Sequence, residues 1–128
     1  MEKLSKNTNA LNWFEIPVSD VKRAKKFYET IFDIQMEEME MMGMHMVMFP
    51  TEQTKSGGAL VKSQYHTPSK TGSIIYLNGN PNLQFVLDRI ESAGGKITTP
   101  KMEITPEIGY MAFFTDSEGN IVALHSAN

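Results

Sequence analysis

Residues 109–126 read GYMAFFTDSEGNIVALHS, and the fold follows from how this stretch is parsed. Tyr110 to Phe114 is aromatic and apolar, with no residue suited to cap a helix. Asp116-Ser117-Glu118-Gly119-Asn120 is a cluster of turn formers, and Gly119 suits a positive φ. Ile121 to His125 resumes the apolar run. The stretch therefore predicts two antiparallel strands about a tight turn. Side chains alternate across a strand, so Val122 and Leu124 share one face while Ile121, Ala123 and His125 share the other. The first face is expected to pack on helices and the second to look into a cavity.

Upstream of this hairpin, Lys96–Thr99 reads as a strand, followed by a loop holding Pro100 and Pro106. Leu83, Val86, Leu87 and Ile90 fall at helical spacing. Asn80 suits the cap of that helix, Pro81 its first position, and Gly94-Gly95 its end. Ser73–Leu77 reads as a strand with Ile74 toward the core. Residues 64–72, QYHTPSKTG, form a linker that divides the chain nearly in half.

The first half has the same order. Trp13 to Val18 alternates, with Phe14, Ile16 and Val18 inward and Trp13, Glu15 and Pro17 outward. Pro17 has no amide proton to give a ladder and belongs at a bulge or an unpaired edge. Ser19-Asp20 supplies a helix cap. Val21, Ala24, Phe27, Tyr28 and Ile31 form the apolar stripe, and Lys22, Arg23, Lys25 and Lys26 form a solvated face. Two short strands, 35–41 and 44–49, turn at Gly43. Gly57–Val61 is a last apolar strand whose glycines imply close approach by a backbone or a ligand. The stripe Ala24, Phe27, Tyr28, Ile31 meets Leu83, Val86, Leu87, Ile90 at one constant offset, and MVMF at 46–49 matches MAFF at 111–114. The expected class is α+β: strand–helix–strand–strand–strand, twice. The modules span 12–63 and 73–126 of a single domain, 12–126, with 1–11 as a polar tail. The helices should cover one face of a curved mixed sheet, leaving a cleft on the other.

Composition excludes several functions. A formal net charge of −3 gives no basic face for nucleic acid. The absence of cysteine removes disulfides, zinc-thiolate sites and thiol nucleophiles. No apolar run is long enough for a membrane span, and the first residues lack the apolar segment of a signal peptide, so a cytoplasmic location is expected. Seven of the ten methionines lie between residues 34 and 49. Thioethers are soft copper(I) ligands, but Met44, Met46 and Met48 share one strand face, as packing or pocket-wall residues do.

WFEIPVSD followed by RAKKFYETIF, then IESAGGKI, then FTDSEGNIVALHS, in this order and with the internal repeat, resembles the vicinal oxygen chelate superfamily over about residues 12–126. That superfamily includes glyoxalase I, bleomycin- and fosfomycin-resistance proteins and extradiol dioxygenases. The resemblance implies paired βαβββ modules and commonly a homodimer. It also implies, in metal-dependent members, a divalent ion held by His, Glu or Gln from the first and last strands of each module. Those positions fall here at Trp13, at or beside Leu60, near Ser73 and at Ala123. None is a usual ligand, so no metal and no other cofactor is expected.

The remaining polar candidates are Glu15 and His125, which by parity share faces with Trp13 and Ala123. They could serve as a catalytic base and acid, or as two anchors for a ligand. His45 is expected at a rim and His66 in solvent. The expected function is binding of a small organic ligand in a cleft lined by Trp13, Glu15, Met44, Met46, Ser73, Ile75, Ala123 and His125. The alternative is a lyase, isomerase or dioxygenase whose metal has moved to Glu15, His125 or His45. A further alternative is drug sequestration by a dimer with clefts between chains.

Overall fold

A computed structural model describes residues 1–128. The elements in order are β1 (Trp13–Pro17), α1 (Val21–Phe32), β2 (Glu37–Met41), β3 (Met44–Met48), β4 (Gly57–Lys62), β5 (Tyr76–Asn78), α2 (Gln84–Ile90), β6 (Lys96–Thr105), β7 (Gly109–Thr115) and β8 (Ile121–Ser126). They build two four-stranded sheets, ordered β1-β4-β3-β2 and β5-β8-β7-β6. In each, the first strand runs parallel to the last and the other pairs are antiparallel. The chain is thus α+β, with the same βαβββ order twice. No helix is long and apolar enough to cross a membrane.

The helices carry the stripes that their periodicity requires. Val21, Ala24, Phe27, Tyr28 and Ile31 are buried on α1, and Val86, Leu87 and Ile90 on α2, with Leu83 just ahead of it. They join Ile16, Val47, Leu60, Leu77, Phe114, Val122 and Leu124 in one core that spans both modules. Each of the Val, Leu, Ile and Phe side chains among them contributes about 1.5–3 kcal/mol by leaving water. Asp20 caps α1 by accepting from the Arg23 amide at 3.0 Å. The β2–β3 hairpin turns through Met42 and Gly43, both at positive φ (54° and 76°).

Four local expectations change. First, Ile74 is 41% exposed, while Ile75 and Leu77 meet the core. Leu77 stands opposite the core residue Leu124 in the β5–β8 register, which turns the odd-numbered positions inward. Second, α2 begins at Gln84 and leaves Pro81 outside. The Asn80 side chain accepts from the Ala127 amide, and it is Asn82 that accepts from the Gln84 amide, at 3.0 Å. Third, residues 100–105 continue β6 instead of forming a loop. Pro100 lies within the register shift between Thr99 and Met102 on the outermost strand of its sheet, where its missing N–H costs no ladder bond. Fourth, the close approach at Gly58 is made by a protein ring: a Cβ there would stand 2.5 Å from Phe14.

The turn between β7 and β8 ties the modules together. Asp116 accepts from the Tyr28 hydroxyl at 2.7 Å, the Asn120 side-chain amide at 3.0 Å, and the Glu118 and Asn120 backbone amides at 2.9 Å. Asn120 also donates to the Pro17 carbonyl at 2.7 Å and accepts from the Ser69 amide at 2.9 Å. Burial, reinforced by the neighbouring Asp116, pushes the Tyr28 hydroxyl well above its ordinary range, so it remains a donor. Glu118 accepts from the Ser19 and Asp20 amides and from Arg23 at 2.8–3.1 Å, with its own side chain fully covered. Burial raises its carboxyl, but Arg23, those amides and the Ser117 hydroxyl outweigh burial and hold it below its usual range.

Candidate functional site

The faces turned away from the helices carry the candidates. On the first sheet, Glu15, Ala59 and Met48 form one row across β1, β4 and β3, and Pro17, Val61 and Met46 form the next. Met46 is buried against Ala59 and Val61, with Met44 and Met48 packed at its sides. Met44, Met46 and Met48 therefore form a packed apolar face, while Met36 joins the helix-side core and Met39, Met41 and Met42 are exposed. Leu60 points the other way, into the helix-covered core, so the β4 residues on this face are Ala59 and Val61.

On the second sheet, the equivalent row is Tyr76, Ala123 and Phe113. β5 and β7 flank β8, and strands two apart stand about 9.5 Å from one another. The Tyr76 and Phe113 ring centroids are only 6.0 Å apart, edge to face. The rings therefore lean together over Ala123, which is fully buried. His125 lies one row along, opposite Asn78 and Met111, and its Nε2 donates to the Ile108 carbonyl at 2.7 Å.

Glu15 is the best-connected polar group on either face. One carboxylate oxygen accepts from the Trp13 indole N–H at 3.2 Å, and the other meets His66 Nε2 at 2.8 Å. His66 Nδ1 in turn meets Ser63 Oγ at 2.6 Å. His66 is therefore not in solvent as expected: its side chain is only 16% exposed, because the linker folds back over β1. A histidine between turn formers gave no periodic signal of this. Trp13 and Glu15 are brought together, and Glu15, Ser73 and Ile75 border one cavity of about 210 Å³ with Ile121 and the linker residues Thr67 and Ser69. Met44 and Met46 lie further along the same sheet face. Ala123 and His125 lie on the other sheet, with no bond between His125 and Glu15. His45 pairs with Glu38 at 2.9 Å on the exposed β2–β3 hairpin, at the rim. No three His, Asp or Glu side chains converge in the structure.

The model of the glyoxalase/bleomycin resistance protein/dioxygenase superfamily matches residues 10–124, and the chain belongs to that superfamily. A glyoxylase-like domain-containing protein of Didymella fabae is 27% identical over 124 residues, covering 89% of this chain and 91% of its own length. Among solved structures, glyoxalase I from Zea mays superposes with a TM-score of 0.66 at 20% identity, over 91% of this chain and 44% of the maize chain. An antibiotic binding protein from Streptomyces sp. CB03234 gives 0.64 at 19% identity, over 97% of this chain and all of its own. At these identities the structural likenesses speak for the fold.

Proposed function

We propose that this chain binds a small organic molecule in the cavity beside Glu15 and does so without the superfamily's metal. The observation that carries the reading is the chemistry of the two rows. In the middle row of each face the paired first- and last-strand residues are Glu15 and Ala59 in one module, Tyr76 and Ala123 in the other, with His125 one row along and bonded to the Ile108 carbonyl. Of the four paired residues only Glu15 is an ordinary ligand for a divalent ion, and no group of three such donors converges around it. That donor set does not fit the metal. A carboxylate, several hydroxyls and the apolar Ile75 and Ile121 instead suit a ligand with a hydrogen-bond donor on an apolar body. At about 210 Å³ the cavity lies below the roughly 300–1,000 Å³ of drug-sized sites. The ligand is accordingly smaller than a typical drug. The reading keeps the homodimer and the cytoplasmic location expected from the sequence.

The test is thermal denaturation with a panel of small amines, amides and polyols, paired with metal analysis of protein purified without chelator. A binder at about a hundred times its Kd stabilises by about 2.7 kcal/mol, and Glu15→Gln should reduce that gain. One tightly held ion per chain would overturn the reading in favour of a metal-dependent lyase, isomerase or dioxygenase. Sedimentation equilibrium tests the dimer.

A further inference from the structure

We propose that Ser63 is a nucleophile served by His66 and Glu15, and that this end of the first sheet transfers acyl groups from small carboxylic esters to water. The hydrogen bonds run in one line: Ser63 Oγ to His66 Nδ1 at 2.6 Å, then His66 Nε2 to Glu15 Oε1 at 2.8 Å. A carboxylate that accepts from Nε2–H fixes the tautomer in which Nδ1 is the basic nitrogen, and Nδ1 is the one facing the serine. The nitrogens are exchanged relative to the usual serine triad, but the roles are complete. Glu15 is itself fixed by the Trp13 indole. His66 is mostly covered, with 16% of its side chain exposed, so the imidazole is held within the chain of bonds.

Ser63 is also placed for attack. It follows the last residue of β4, where the strand gives way to a tight turn. By strand parity it continues the Ala59–Val61 face, away from the helices. It borders an open cleft of about 580 Å³, shared with Met44, His45, Lys62 and Gln64, which is a different cavity from the one beside Glu15. In the turn, the Tyr65 amide donates to Ser63 Oγ and the His66 amide to the Ser63 carbonyl, at 3.0 and 3.3 Å. The Gln64 amide, next after the serine, has no acceptor among the hydrogen bonds of the chain. It is the donor available to an oxyanion on the ester carbonyl, with Lys62 lining the same cleft.

The step balances with water as the second substrate. Ser63 Oγ bonds to the carbonyl carbon as its proton passes to His66 Nδ1. The C–O bond to the leaving alkoxide breaks as Nδ1 returns the proton to it. Water then repeats the sequence on the acyl-serine, releasing the acid and restoring Ser63. Ser63 and His66 are the catalytic residues and Glu15 the positioning residue.

The wild-type protein is treated with a fluorophosphonate, and the adduct is located by peptide mass spectrometry. In that reaction the Ser63 Oγ–P bond forms and fluoride leaves. The expected result is stoichiometric labelling at Ser63, accompanied by p-nitrophenyl acetate hydrolysis that shows an initial burst. His66→Ala should slow labelling at least 100-fold with the fold intact by circular dichroism, and added imidazole should restore part of the rate. An adduct elsewhere, no adduct, or a labelling rate indifferent to His66→Ala and imidazole would overturn the proposal. It would then leave Ser63 and His66 as a structural turn. Ligand binding beside Glu15 is measured separately on Ser63→Ala, so failure of either proposal is distinguishable from failure of the other.

Discussion

The two modules share a plan and differ at the connection between their last two strands. In the first, residues 49–56 join β3 to β4 and run largely exposed, with short local bonds such as Thr54 to Glu52 and one longer bond, from the Ser56 hydroxyl to the Leu11 carbonyl at the surface. In the second, residues 116–120 join β7 to β8 and carry the buried Asp116 and Asn120, bonded to groups about a hundred residues earlier. One connection is solvated loop and the other is the bolt between modules. The repeat preserves what packs the helices. It leaves each module's connection and helix-free face free to diverge: a carboxylate and methionines on the first face, a pair of aromatic rings on the second.

This contrast can be broken most sharply at Asp116. Asp116→Ala leaves the Tyr28 hydroxyl, one N–H of the Asn120 side chain and two backbone N–H groups without an acceptor in a largely buried site. The expected loss is about 3–5 kcal/mol, while Glu52→Ala in the equivalent connection should change stability by less than about 0.5 kcal/mol. Urea midpoints measure both, and similar values would refute the contrast. Next in size, Phe27→Ala and Leu87→Ala, one in each core stripe, should each cost about 2–5 kcal/mol. Smaller still is Glu118→Gln, at about 1–2 kcal/mol from weakened charge-assisted bonds to the Ser19 and Asp20 amides. Its sign with pH follows from the lowered carboxyl. The stabilisation is complete above the unfolded value near pH 4.3 and is lost as pH falls through the lower folded value. Wild type and Glu118→Gln should therefore differ at pH 7 and converge in acid.

What was legible in the sequence was what repeats at short range. Large apolar residues at helical spacing defined both helices, and turn formers between apolar runs defined the last hairpin. The strand before α2 was misread by one residue because Ile74-Ile75 offers no alternation, and only its pairing with β8 decides which of them turns inward. β6 was cut short because Pro100 and Pro106 resemble loop residues until the strand is known to be an edge with bulges. Of the site, Glu15 and its neighbour Trp13 followed from strand parity. His66 did not, because its partner lies 51 residues away and no local pattern encodes a linker that folds back. The Asp116–Tyr28 link, across 88 residues, was hidden for the same reason.

The finest comparison is between the two strand-face residues at equivalent places, Glu15 and Tyr76. Tyr76→Ala removes an edge-to-face contact with Phe113 worth about 0.5–1.5 kcal/mol and uncovers Ala123. Glu15→Ala removes bonds to Trp13 and His66, but its side chain is 31% exposed and solvent screens what is lost. Its cost should be below about 1 kcal/mol, the smaller of the two. It should nonetheless be the easier to see. Trp13 is the one tryptophan, so its fluorescence reports the loss of the Glu15 acceptor directly. Released from Glu15, His66 should also let residues 64–72 exchange amide protons and yield to protease faster than in wild type. Tyr76→Ala should change neither signal. If Glu15→Ala destabilised the protein more than Tyr76→Ala and left the linker protected, Glu15 would be a structural group like Asp116. The first module's face would then lose its claim to be the one kept for binding.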